Sequence, residues 1–141
     1  IDDWLLDQRV LVKRSPGMED CSRHWSMEML VEHNITVGKG IRNTLRKLLA
    51  RSIPKSDTNV VNAKPLGGQG PEIRKELQRF LIRFDNEFDG AVFRKDHFTQ
   101  HPWFGKMNAV QWLRLAALNN LVHRVHGERI YEGMLHTNIC E

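Results

Sequence analysis

Residues 52 to 71 carry Pro54, Pro65, Gly67, Gly68, Gly70 and Pro71 among many polar side chains, and they separate two strongly helical stretches. Proline cannot continue a helical hydrogen-bond ladder, so this segment reads as a connection. A connection of this length is uncommon in a compact domain and needs a reason. Short loops join antiparallel neighbours only; a long one predicts a crossover between two helices that run in the same direction. The chain is therefore expected to be a helical bundle with its long crossover between helices 2 and 3.

The apolar spacing supplies the helices. Ser26 is placed as an N-cap, and Leu30, Val37, Ile41, Leu45 and Leu48 mark one face down to about Leu49. After the connection, Pro71 opens the next helix, and Ile73, Leu77, Phe80, Leu81, Phe84 and Phe88 form its stripe until Gly90. Ahead of both, Ile1, Trp4, Leu5, Leu11 and Val12 predict a first helix from Ile1 to about Lys13, ended by Ser15-Pro16-Gly17. Ala91 to Asn108 reads as irregular. A fourth helix is predicted from about Ala109 to Val125, capped by Asn108, with Trp112, Leu115, Ala116 and Val122 on its apolar face. Ile130, Tyr131, Met134 and Leu135 predict a short final helix after Gly127. No strand pattern competes, and the fold class is all-α.

At 141 residues the chain is expected to be a single domain, 1–141, with room for a proper core. No apolar run approaches the length of a membrane span, so no membrane partner is expected. The chain opens at Ile1 rather than Met, inside a predicted helix, which suggests missing N-terminal sequence. Cys21 and Cys140 form no C-x-x-C pair, and two free thiols in a reducing cytoplasm are the expectation. Lys39, Arg42, Arg46, Lys47, Arg51 and Lys55 concentrate the positive charge. They fit a nucleic-acid or partner-binding patch, or a solvated helix face whose cations complement the macrodipole. No aromatic residues are interleaved with them, which favours the solvated face.

His33 lies three residues after Leu30 and four before Val37, so it points inward from the apolar stripe. Asn119 and His123 follow Leu115 at four-residue steps and share the inner face of the last core helix. Side chains four apart on a helix stand ~5–6 Å apart at Cβ, close enough to converge on one ion. Nitrogen-bearing side chains on the inner faces of two helices are what a metal site in a bundle requires.

These residues carry a family resemblance. Trp25-Ser26 followed by Glu32-His33 resembles the opening of the second helix in DinB-like proteins, the DinB/YfiT superfamily. His101-Pro102-Trp103-Phe104-Gly105-Lys106-Met107, then Gln111-Trp112 and His123-Arg124, resembles the His-Pro-x-Phe-Gly block and fourth helix of one branch. The match runs from about residue 25 to 126. It implies a four-helix bundle with a down-up-up-down path. It also implies a divalent ion, often nickel, zinc or iron, on three histidines: one from the second helix and two from an H-x-x-x-H pair on the fourth.

His33 matches the first of those histidines and His123 the last, while Asn119 stands at the middle position and departs from the pattern. An amide oxygen is a weak neutral donor better suited to harder cations, so transition-metal affinity should fall. Asn119 then reads either as a weak ligand or as an amide hydrogen-bonded to His33 or His123. His126 can share a face with His123, but it reads as a surface or loop histidine, as do His24, His97 and His136. His101 reads as a turn or loop contact. Glu32 should face away from His33, since neighbouring helical residues point about 100° apart.

The expectation is a DinB-like protein with a degenerate metal pocket between helices 2 and 4, binding a small molecule or acting as a divergent enzyme. The alternatives are a working metal-dependent hydrolase or thiol-dependent transferase, and a nucleic-acid or partner-binding helical module. Bundles of this kind also pair through an apolar helix face, which would make a homodimer.

Overall fold

The computed structural model describes residues 3–14, 16–50 and 64–137. Most of these residues are helical. Helix α1 spans Met27–Leu49, α2 spans Glu72–Phe88 and α3 spans Ala109–Thr137; strands β1 (Phe98–His101) and β2 (Gly105–Asn108) lie between α2 and α3. No helix among the described residues is long and apolar enough to cross a membrane.

Helix α1 starts where the sequence places its cap: the Ser26 hydroxyl accepts from the Met29 backbone N–H at 3.2 Å. Its last turn holds Arg46 and Lys47, cations that suit the negative end of the helix dipole. Helix α3 opens on a reciprocal pair. The Asn108 side chain accepts from the Gln111 backbone at 3.0 Å, and the Gln111 side chain accepts from the Asn108 backbone at 2.8 Å.

Contacts along α1 and α2 advance together, so the two helices run in the same direction. Lys39 pairs with Glu76 at 2.8 Å, Gly38 abuts the Phe80 ring, and Arg46 pairs with Glu87 at 2.9 Å. This is the arrangement expected from the long connection, of which residues 64–70 are described. Helix α3 runs antiparallel to α1, with Gly127 against Leu30 near the start of α1 and Trp112 in the cluster with Leu45 near its end.

Three expectations need correction. The first concerns the N-terminal helix: among its described residues only Asp3–Leu5 form a 3-10 turn, and residues 8–14 hold no regular secondary structure. Their backbone pairs outward instead. The Val12 N–H donates to the Arg23 carbonyl at 3.0 Å, and the Lys13 carbonyl accepts from Arg129 at 2.9 Å. Leu6 and Val12 are buried while Trp4 and Leu11 are exposed, a pattern that does not follow the helical stripe. The described residues thus show three α-helices and a strap where a further helix was expected.

The second correction is the hairpin. Within the stretch read as irregular, Phe98 to His101 pairs antiparallel with Gly105 to Asn108, with Thr99 opposite Met107 and His101 opposite Gly105. Thr99, His101 and Met107 face inward and are buried. The Trp112 indole N–H donates to the Thr99 hydroxyl at 2.7 Å, tying the hairpin to α3.

The third is the end of the last helix, which continues through Gly127 and Gly133 to Thr137. Both glycines serve close packing. A Cβ at Gly127 would sit 3.2 Å from the Leu30 side chain, and one at Gly133 would overlap Val10.

The core has two parts. One cluster holds Val37, Ile41, Leu45, Leu48, Phe88, Met107, Ala109 and Trp112; the other holds Val12, Met18, Trp25, Met29, Leu30, Ile130 and Met134. Between them α1 contributes the turn around His33, and α3 contributes Asn119, His123 and His126. A polar layer therefore separates two apolar ones.

The Phe-rich stripe of α2 is less deeply buried than its periodicity implies. Ile73, Phe80 and Phe88 are buried, Leu77 and Phe84 are half-buried, and Leu81 is exposed.

Candidate functional site

The cap at Ser26 fixes where the site begins. It sets Trp25 just ahead of α1, its ring buried, and places His33 two turns into the helix. Antiparallel packing of α3 then brings His123 to His33, with ring centroids 4.7 Å apart and planes 64° apart. The Trp25 indole lies against all three nearby imidazoles, at 4.9 Å from His33, 5.7 Å from His126 and 6.5 Å from His123.

A cavity of about 450 Å³ opens beside this cluster. His33, Asn119 and His123 all line it, so the three residues expected from the sequence share one space. Trp25, Leu115 and the hairpin residues His101, Trp103 and Phe104 supply apolar and aromatic wall. Arg14, Glu19 and Lys64, all exposed, stand at its margin.

Burial disfavours the charged form of His123 and His126. His123 is pushed down to about 4, first by desolvation and then by His33 and His126. His126 is also pushed down to about 4; desolvation leads, the facing Ser22 backbone works against it, and His33 and Arg129 add to it. Nδ1 of His123 meets no partner at hydrogen-bonding geometry. Buried polar atoms are seldom left so, and those that are mark candidate ligand positions.

His126 departs from the sequence reading. It is fully buried against Trp25, not on the surface or in a loop, because α3 runs on past Gly127 and keeps it inside the helix. Its position three residues after His123 and seven after Asn119 was the available signal. His101 behaves as read. Its Nδ1 accepts from the backbone N–H groups of Trp103 at 3.1 Å and Phe104 at 3.3 Å, closing the hairpin turn. An accepting Nδ1 places the ring proton on Nε2.

Glu32 faces away from the histidines, as expected. Its carboxylate accepts from the backbone N–H groups of Leu66 at 3.0 Å and Gly67 at 2.9 Å. Glu28, one turn earlier and buried, accepts from Gly70 at 2.5 Å. Sequence reasoning missed this paired clamp on the glycine-rich segment. Its only trace is the i, i+4 spacing of the two acids.

The basic stretch on α1 is largely taken up. Lys39 meets Glu76, while Arg42 and Arg46 both meet Glu87. Arg51 and Lys55 lie outside the described residues, as does Cys140. Cys21 is exposed and its thiol is raised by desolvation and by its hydrogen bond to Glu19, which opposes thiolate formation.

For a transition metal the donor set falls short. The cavity offers the imidazoles of His33 and His123 and one amide. Among the described residues no group of three His, Cys, Asp or Glu side chains is arranged to hold an ion. What the arrangement offers is a mostly apolar cavity with an amide and two imidazoles on one wall. No family model matches the chain, and neither a curated protein nor a solved structure shows a match to it.

Proposed function

We propose that the protein is a DinB-like helical bundle that binds a small molecule in the cavity between α1 and α3, a pocket whose metal-binding capacity is weakened at Asn119. One observation carries the reading: His33 and His123 meet at 4.7 Å on the wall of a cavity that Asn119 also lines. Cavities of roughly 300–1,000 Å³ with a few convergent polar groups are the usual form of ligand sites.

Metal analysis of protein purified without a histidine tag tests it. Substoichiometric nickel, zinc and iron, unchanged in His33→Ala, supports the weakened pocket. A full equivalent of metal, lost in His33→Ala, overturns it.

That second outcome would favour the other reading, a metal-dependent hydrolase or thiol-dependent transferase. The nearness of His126, its ring centroid 6.1 Å from that of His123, supports this alternative, because a small ring movement would add a third imidazole to the other two. The exposed Leu118 and Leu121 on α3 supply an apolar face through which two copies would pair.

A further inference from the structure

We propose that the cavity takes a flat aromatic molecule whose buried end is uncharged, an inference that rests on the small-molecule-binding reading and names its ligand class. The walls indicate the body of the ligand. Trp25 is buried on one side, while Trp103 and Phe104 stand 63% and 60% exposed on the hairpin turn at the cavity. Aromatic side chains left open beside a cavity are surface that a bound ring would cover, in offset or edge-on contact.

The polar wall indicates its buried end. Asn119 offers a donor and an acceptor, and Nδ1 of His123 is buried without a partner. A hydroxyl, carbonyl or ring nitrogen on the ligand would satisfy that atom.

Charge is excluded from this end for want of a counter-ion. Among the described residues, the Lys, Arg, Asp and Glu side chains that line the cavity are Arg14, Glu19 and Lys64, all exposed at its margin. A carboxylate or ammonium carried inward would lose its water and, among the described residues, meet no Lys, Arg, Asp or Glu there, which is strongly unfavourable.

Two dyes that share one skeleton and differ by a sulfonate test the inference. N-phenylnaphthylamine is neutral; anilinonaphthalene sulfonate is its anionic counterpart. Each is titrated into the full chain near neutral pH, with dye emission and tryptophan quenching followed together. The neutral dye should saturate and bind at least about ten-fold tighter than the sulfonate. Leu115→Trp, which fills the cavity, and Phe104→Ala, on the exposed turn where folding is not at stake, should each weaken it.

Equal or tighter binding of the sulfonate, still lost in either variant, overturns the ligand class and leaves the pocket reading standing. No saturable binding of either dye, or binding indifferent to both variants with helical circular dichroism intact, overturns the pocket reading as well.

Discussion

The indole of Trp25 packs against the imidazole of His126 with ring centroids 5.7 Å apart and planes 28° apart, so a residue just outside α1 covers a histidine deep in α3. His126 is completely buried, with the Ser22 backbone beside its ring. His123, one helical turn earlier and half-buried, shares the downward shift. Protonation of His123 or His126 is therefore opposed in the folded state.

Stability should consequently fall in acid. Both histidines have folded-state values of about 4 against an ordinary 6.5. Between those values the unfolded chain binds more protons than the folded one, so stability rises with pH across that window. It is fully present above about 6.5 and declines as the pH is lowered toward about 4. For the fully buried His126 the loss is on the order of 3 kcal/mol. Urea denaturation at a series of pH values should show this slope, and His126→Phe should flatten it. A slope identical in the variant would remove His126 from the account.

Gly38 should not tolerate a side chain. A Cβ there would lie 2.6 Å from Cε1 and 2.7 Å from Cζ of Phe80, a ring buried between α1 and α2. Gly38→Ala should destabilise by ~1–3 kcal/mol despite alanine's better helix propensity, which on its own would stabilise by ~1 kcal/mol. Thermal unfolding decides the sign. A rise in melting temperature would mean that α2 packs elsewhere.

Parts of this architecture are legible in the residues and parts are not, for physical reasons. Ser26 and Asn108 are legible as caps because capping is local chemistry. The shared direction of α1 and α2 is legible because Pro54 to Pro71 is too long for a tight turn. The inward placement of His33 and His123 follows from their spacing to Leu30, Val37 and Leu115. The strap is not legible: Val12 pairs with Arg23 and Lys13 with Arg129, contacts that no local periodicity encodes. The hairpin hides because its strands are four residues long. At Gly127 and Gly133 the helix persists because Leu30 and Val10 need the space, and in sequence such glycines read as stops.

The clamp on the glycine-rich segment should be measurable in solution. Glu32 receives two backbone N–H groups and the buried Glu28 receives one, so two carboxylates of α1 hold residues 66–70. Charge-assisted bonds of this kind contribute ~1.5–3 kcal/mol. Hydrogen exchange at Leu66 and Gly67 should quicken in Glu32→Ala, and at Gly70 in Glu28→Ala. Only Glu28→Ala should also lower global stability clearly, since that side chain is 2% exposed. Unchanged protection at all three amides would show that the segment is held by something other than these acids.

Asn119→His is the most direct probe of what the cavity lacks. It would place a third imidazole four residues before His123 and on the same helix face, where Cβ atoms stand ~5–6 Å apart. The added ligand replaces a weak amide donor with a nitrogen suited to nickel or zinc. Uptake of either ion, followed by isothermal titration on tag-free protein, should tighten by one or more orders of magnitude, with proton release as the imidazoles give up any bound proton. The gain should disappear when His33→Ala is added, because that ring comes from the other helix and closes the site. If Asn119→His leaves uptake unchanged, the amide does not occupy the ligand position, and the weakening of the pocket has another cause. Gained metal that survives His33→Ala would instead point to a site on α3 alone, built from His123 and His126 with the new histidine.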